Sequence, residues 1–150
     1  MPTRFSLKEK RSTLANKKAV QAWFEKANED LFAAKWLHDS KNPKAFLPTA
    51  FHCQQVVEKA LKGFLTFHGK KFEKTHDIQE ILGFVIGIDP TLEAFLKPTV
   101  ELTPYAVAFR YPDALKKDLT FDDIERFIAI MEKAYKEISS RIPFDSLFGI

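Results

Sequence analysis

Between Pro48 and His68 the residues Ala50, Cys53, Val57, Leu61, Phe64 and His68 follow one another at steps of three or four. Only a helix collects that spacing on one face, so a strand is excluded there. The periodicity returns in three more stretches. Val20, Trp23, Phe24, Ala27, Leu31, Ala34 and Leu37 predict a first helix, and Ile78, Ile81, Leu82, Val85 and Ile86 a third. Phe121, Ile124, Phe127, Ile128, Met131, Tyr135 and Ile138 predict the inner stripe of a last helix, starting after Thr120 and running to about Ile142. No stretch alternates with the period of two that a half-buried strand needs. The expected fold is all-α, a mostly antiparallel up-and-down bundle of four to five helices.

Breaker residues set the limits of these helices. Pro43 and Pro48 punctuate a loop around "SKNPKAFLPT", so the second helix is expected from Pro48 or Thr49. Gly69 stands where a left-handed residue closes a helix. Asp77 with Glu80 resembles a capping box opening the third helix near Thr75 or Asp77, and "GIDP" ends it. A weaker helix is expected from about Thr91. Thr103 and Pro104 read as an N-cap with proline at the first helical position, where that helix restarts. Pro112 pushes Tyr111 away from helical angles, so "RYPDALKKDL" interrupts it.

A chain of 150 residues, 45% hydrophobic and 29% charged, fits one soluble globular domain with a core of its own. Residues 1–19 read as a basic N-terminal arm, 20–142 as the helical domain and 143–150 as a C-terminal tail. The arm holds Arg4, Lys8, Lys10, Arg11, Lys17 and Lys18 against Glu9 alone, which suits a solvated tail or a contact with nucleic acid or a partner. A net charge of +3 does not by itself require nucleic acid. No apolar run reaches membrane-spanning length, so no membrane is expected. Cys53 is the single cysteine; no internal disulfide can form, in keeping with a reducing cytoplasm.

Standard catalytic signatures are missing: there is no phosphate-binding glycine loop, paired-cysteine zinc site or nucleophile elbow. Cys53 lies on an apolar stripe and reads as a buried small hydrophobe. Asp30 falls beside Ala27, Leu31 and Ala34, where a carboxylate needs a partner; a lysine of a neighbouring helix, Lys59 being one candidate, suits it better than the role of a catalytic acid. Glu58 and Lys62 stand four apart in the favoured order for a helical ion pair, worth only a few tenths of a kcal/mol. Gln55, Lys59 and Lys62 share one helix face, and that row either follows a phosphate chain or meets water. Lys74 and His76 flank a helix start whose free N–H groups suit an anion. Arg110 either stabilises the carbonyls ending a helix or grips a phosphate with both arms of its guanidinium.

Four segments, "AWFEKANEDLFAAKWL", "AFHCQQVVEKALKGFL", "KTHDI" and "FRYPD", in that order, resemble the HEPN domain, the nucleotide-binding domain of prokaryotes and higher eukaryotes. The resemblance runs from about Ala22 to Ile138. It implies a helical bundle that commonly forms a homodimer, often with a nucleotidyltransferase as partner. Other members are metal-independent RNases of toxin–antitoxin, CRISPR and antiviral systems, with a histidine four to six residues after an arginine. Here Arg110 is followed by "YPDALKK" and no histidine lies beyond His76, so no catalytic residue is assigned. The expected role is non-catalytic: binding nucleotide or polyphosphate, with ATP or GTP as candidate ligand, or assisting a nucleotidyltransferase. A purely structural dimeric module is the alternative, and an RNase toxin a weaker one. The expected binding residues are Gln55, Lys59, Lys62, Lys74, His76, Arg110, Tyr111 for stacking and Asp113 for a ribose or metal-bound water. No metal ligands are expected.

Overall fold

The second helix carries apolar residues almost all the way round, and a helix of that kind belongs in the middle of a protein. In the computed structural model, which describes residues 7–72, 74, 78–111, 113 and 118–148 (side chains from 16 to 147), α2 spans Phe46–Phe67 and has no exposed residue. The other elements wrap it. Helix α1 covers Leu7–Asp39, α3 Ile78–Ile88 and α6 Phe121–Ser139. The short helices α4 (Glu93–Leu96), α5 (Tyr105–Ala108) and α7 (Phe144–Phe148) complete the path, with 3₁₀ turns at Pro43–Ala45, Pro90–Leu92 and Lys97–Leu102. No strand occurs among the described residues. None of their helices is long and apolar enough to cross a membrane. The fold is the all-α bundle expected, with four principal helices.

Helix α1 runs antiparallel to α2: Trp23 and Phe24 lie against Gly63, and Asp30 reaches His52 and Lys59. It also runs antiparallel to α6, with Asn28 level with Tyr135 and His38 level with Glu125. The core is continuous, from Phe24 and Ala34 through Val57, Leu61 and Phe64 to Phe127, Met131 and Ile138. Thr120 and Asp123 form a reciprocal capping box that starts α6. Arg141 bonds Asp89 at 3.1 Å and Glu137 at 3.0 Å, tying the end of α6 to the turn before Pro90.

Several boundaries differ from expectation. Helix α1 begins at Leu7 rather than near Val20, because nothing between Thr3 and Asn42 is glycine or proline and lysine, glutamate, alanine and leucine propagate a helix. Helix α6 stops at Ser139, four residues before Pro143. Gly69 takes the expected left-handed angle, φ 67°. Thr103 does not cap: its own backbone is helical and its buried hydroxyl has no hydrogen-bond partner. His68 is exposed, because α2 ends at Phe67 and His68 sits beyond the last turn. Phe121 is 46% exposed, since it opens α6 at the margin of the core, where its ring meets Phe46 at near right angles with ring centres 4.6 Å apart. The expected caps Thr75 and Asp77 lie outside the described residues.

Candidate functional site

Asp30 is turned by α1 toward α2, where His52 and Lys59, two helical turns apart, stand on one line. The carboxylate is 8% exposed; one oxygen meets His52 Nδ1 at 2.8 Å and the other accepts from Lys59 Nζ at 2.5 Å. Burial alone would raise its pKa. Hydrogen bonds from His52 and Lys59, with their charges, outweigh that and hold the carboxyl below its usual range. The sign of the pH effect follows. Ionised Asp30 contributes its stability in full above the unfolded-chain carboxylate pKa of about 3.9 and loses it as pH falls through the lower folded value. The stability gap between wild type and Asp30→Asn in urea titrations is therefore expected to shrink from pH 5 toward pH 2. A gap constant over that window would contradict an ionised Asp30.

On an adjacent face of α2 Gln54, Glu58 and Lys62 are buried, with half-buried Gln55 beside them. Gln55 Nε2 donates to Gln54 Oε1 at 2.6 Å, Gln54 Nε2 donates to Glu58 Oε1 at 3.0 Å, and Lys62 Nζ donates to Glu58 Oε2 at 3.3 Å. The Glu58 and Lys62 side chains are only 3% and 7% exposed, so this pair is part of the interior and not a solvated surface pair. Lys62 Nζ also lies 5.6 Å from the ring centre of Trp23 and 5.9 Å from that of Phe72, a cation held between two π faces. Cys53, behind this row, is fully buried, and burial with the nearby Glu132 charge pushes its thiol pKa far up. A thiol in that state is no nucleophile.

At the other end of α2, Phe51 stacks on Phe109 with ring centres 4.4 Å apart and planes 18° apart. That contact brings the segment just after α5 to α2 and places Arg110 and Tyr111 beside it, Tyr111 at 65% exposure. Phe51 to Lys62 is about 16 Å of helix rise.

The residues singled out from sequence therefore divide. Gln55, Lys59 and Lys62 share one helix, with Lys59 and Lys62 each engaged by a carboxylate. Arg110 and Tyr111 lie at the Phe51 end. Lys74 follows Phe72, whose ring meets Trp23 and Lys62 at the opposite end. Lys74, Arg110 and Asp113 are exposed. His76 lies outside the described residues. The sequence offered Lys59 as one candidate partner of Asp30 but passed over His52 as the second. The signal was present, since 52 and 59 are seven apart and a carboxylate has two oxygens to satisfy.

An all-helical bundle whose central helix buries a glutamine–glutamate–lysine chain and pairs two more polar groups with an aspartate of α1 defines the class. A family model described as the HEPN domain matches residues 20–141. The chain belongs to the HEPN family. No curated protein and no solved structure matches it.

Proposed function

We propose that the chain is a non-catalytic HEPN module that binds a nucleotide or another polyphosphate and works as a homodimer beside a nucleotidyltransferase. The observation that carries the ligand is the pairing of Arg110, an exposed guanidinium with no ion-pair partner among the described residues, with the exposed ring of Tyr111. Guanidinium grips phosphate with two parallel hydrogen bonds, and a free aromatic face takes a base. Half-buried Gln55 and His52 line the adjoining face of α2. On this reading Lys59 and Lys62 are engaged by the two carboxylates and leave phosphate to Arg110.

Titration calorimetry with ATP and GTP, each with and without magnesium, tests the proposal. Binding is expected, and Arg110→Ala is expected to weaken it about tenfold or more, as for loss of a charge-assisted hydrogen bond. A folded chain that takes up neither nucleotide at millimolar concentration sinks the ligand reading.

One observation favours a second reading, a purely structural interaction module. Two of the three cations of the α2 row and loop, Lys59 and Lys62, are already neutralised within the molecule. Co-purification of a stoichiometric nucleotidyltransferase with no bound nucleotide would select it.

A further inference from the structure

The outer face of α1 is the surface least explained by the fold. Phe32 and Trp36 are each 68% exposed, and their rings stack on one another with centres 5.9 Å apart. An open groove of about 360 Å³ beside them is lined by Phe32, Ala33, Trp36 and Leu37. Two large aromatic side chains held in water beside an apolar groove mark a contact surface. Both point away from the Val20, Phe24, Ala27 and Ala34 side that packs on the bundle.

The residues around the stack define what fits it. Glu25, Glu29, Phe32, Trp36 and Asp39 follow one another at steps of four and three, the spacing of a seam between two helices. All five are exposed, and the strip they form runs about 21 Å along α1. Its three charges are all negative. Glu25 and Asp39 have no ion-pair partner among the described residues. Glu29 meets Lys26 at 3.3 Å, but the two side chains are 69% and 63% exposed, and a pair of that kind opens at little cost. On the other flank Lys35 turns to Glu132 of α6 at 3.4 Å. Asp39 is the last residue of α1, where the helix dipole disfavours a negative charge and a cation laid over it would relieve the repulsion.

Seam spacing calls for a helix as occupant, and carboxylates set around aromatic rings call for cations on it. Arginine answers both groups, since it pairs with a carboxylate through two hydrogen bonds and lies flat on an aromatic face. Nucleic acid and anionic lipid carry the wrong charge for this strip. We propose that the outer face of α1 docks a basic amphipathic helix of another protein, with its cations over Glu25, Glu29 and Asp39 and its apolar side chains in the groove beside Phe32 and Trp36. The surface uses neither Arg110 nor Tyr111, so it stands or falls apart from the ligand reading above.

Titration calorimetry of the full chain against a synthetic helix of about three heptads, with arginine and leucine along one seam, provides the test. Micromolar binding is expected, and none by the same peptide carrying glutamate in place of arginine. Phe32→Ser with Trp36→Ser is expected to weaken binding about tenfold or more, with circular dichroism unchanged because both sites are exposed. Glu25→Lys with Asp39→Lys is expected to weaken it by about as much and to take up the glutamate peptide instead. That exchange reads the surface even where the aromatic variant fails to fold. A folded chain that ignores the basic peptide at millimolar concentration overturns the proposal. Binding that survives the aromatic change does so too, as unspecific attraction between charges. A dimer in sedimentation that the aromatic change dissociates places a second copy on this face and overturns it, as does a single-stranded oligonucleotide or anionic vesicle that the wild type binds through the same strip.

Discussion

Glu58→Ala is expected to cost about 3–5 kcal/mol of folding stability, measured by urea denaturation at neutral pH. The size follows from what is left behind. Lys62 is 7% exposed at its side chain and cannot reach bulk water without opening the contact between α1 and α2. Without Glu58 its ammonium keeps, among the described residues, the π faces of Trp23 and Phe72, an attraction of about 0.5–2 kcal/mol, too weak to offset burial of a charge that has lost its carboxylate. Gln54 Nε2 loses its hydrogen bond to the Glu58 carboxylate as well. The double change Glu58→Leu with Lys62→Met removes both charges and both desolvation costs, and is expected to recover most of the loss. A loss below about 1 kcal/mol for Glu58→Ala would mean that the pair behaves as a surface pair.

Gly63→Ala is expected to destabilise by about 1–3 kcal/mol, although glycine to alanine inside a helix ordinarily gains 0.5–1. The reversal comes from the neighbour. A methyl group at position 63 would stand 2.6 Å from Phe24 Cε2 and 2.9 Å from Cδ2, with Trp23 Cβ at 3.1 Å. The Phe24 ring has nowhere to retreat. It is 3% exposed and already meets Phe144 edge-on at 5.0 Å and Tyr135 at 6.4 Å. Thermal unfolding of the variant checks the sign, and a stabilised protein would show that α1 does not sit so close to α2. Gly83 and Gly87 provide the contrast, since a Cβ at either meets no atom within 4 Å.

Much of the fold was legible because it is written in local periodicity. The apolar stripes of α2, α3 and α6 reach the core, and Thr120 and Gly69 act at the ends expected of them. Errors fell where a signal is local but its outcome is not. Thr103 has the residue type of a cap, yet its backbone is already helical, so no orphan amide is offered to it. His68 and Phe121 keep the helical step but stand past the last packed turn. The site was less legible. Spacing collects Gln55, Lys59 and Lys62 on one side of a helix, and spacing alone cannot distinguish a row facing water from one facing α1.

From its sequence alone this protein is an all-helical HEPN bundle, because residues three and four apart share a face wherever the helix is placed. Which polar residues stay free was decided by the tertiary structure. Asp30 and Lys59 are 29 positions apart, and only the antiparallel seating of α1 on α2 brings them to 2.5 Å and adds His52 to the same carboxylate. The same seating takes Glu58 and Lys62 out of water and leaves Phe32 and Trp36 in it. A charge has a fixed identity in the chain, but its energy depends on the dielectric and the partners around it, and those exist only once distant segments have met.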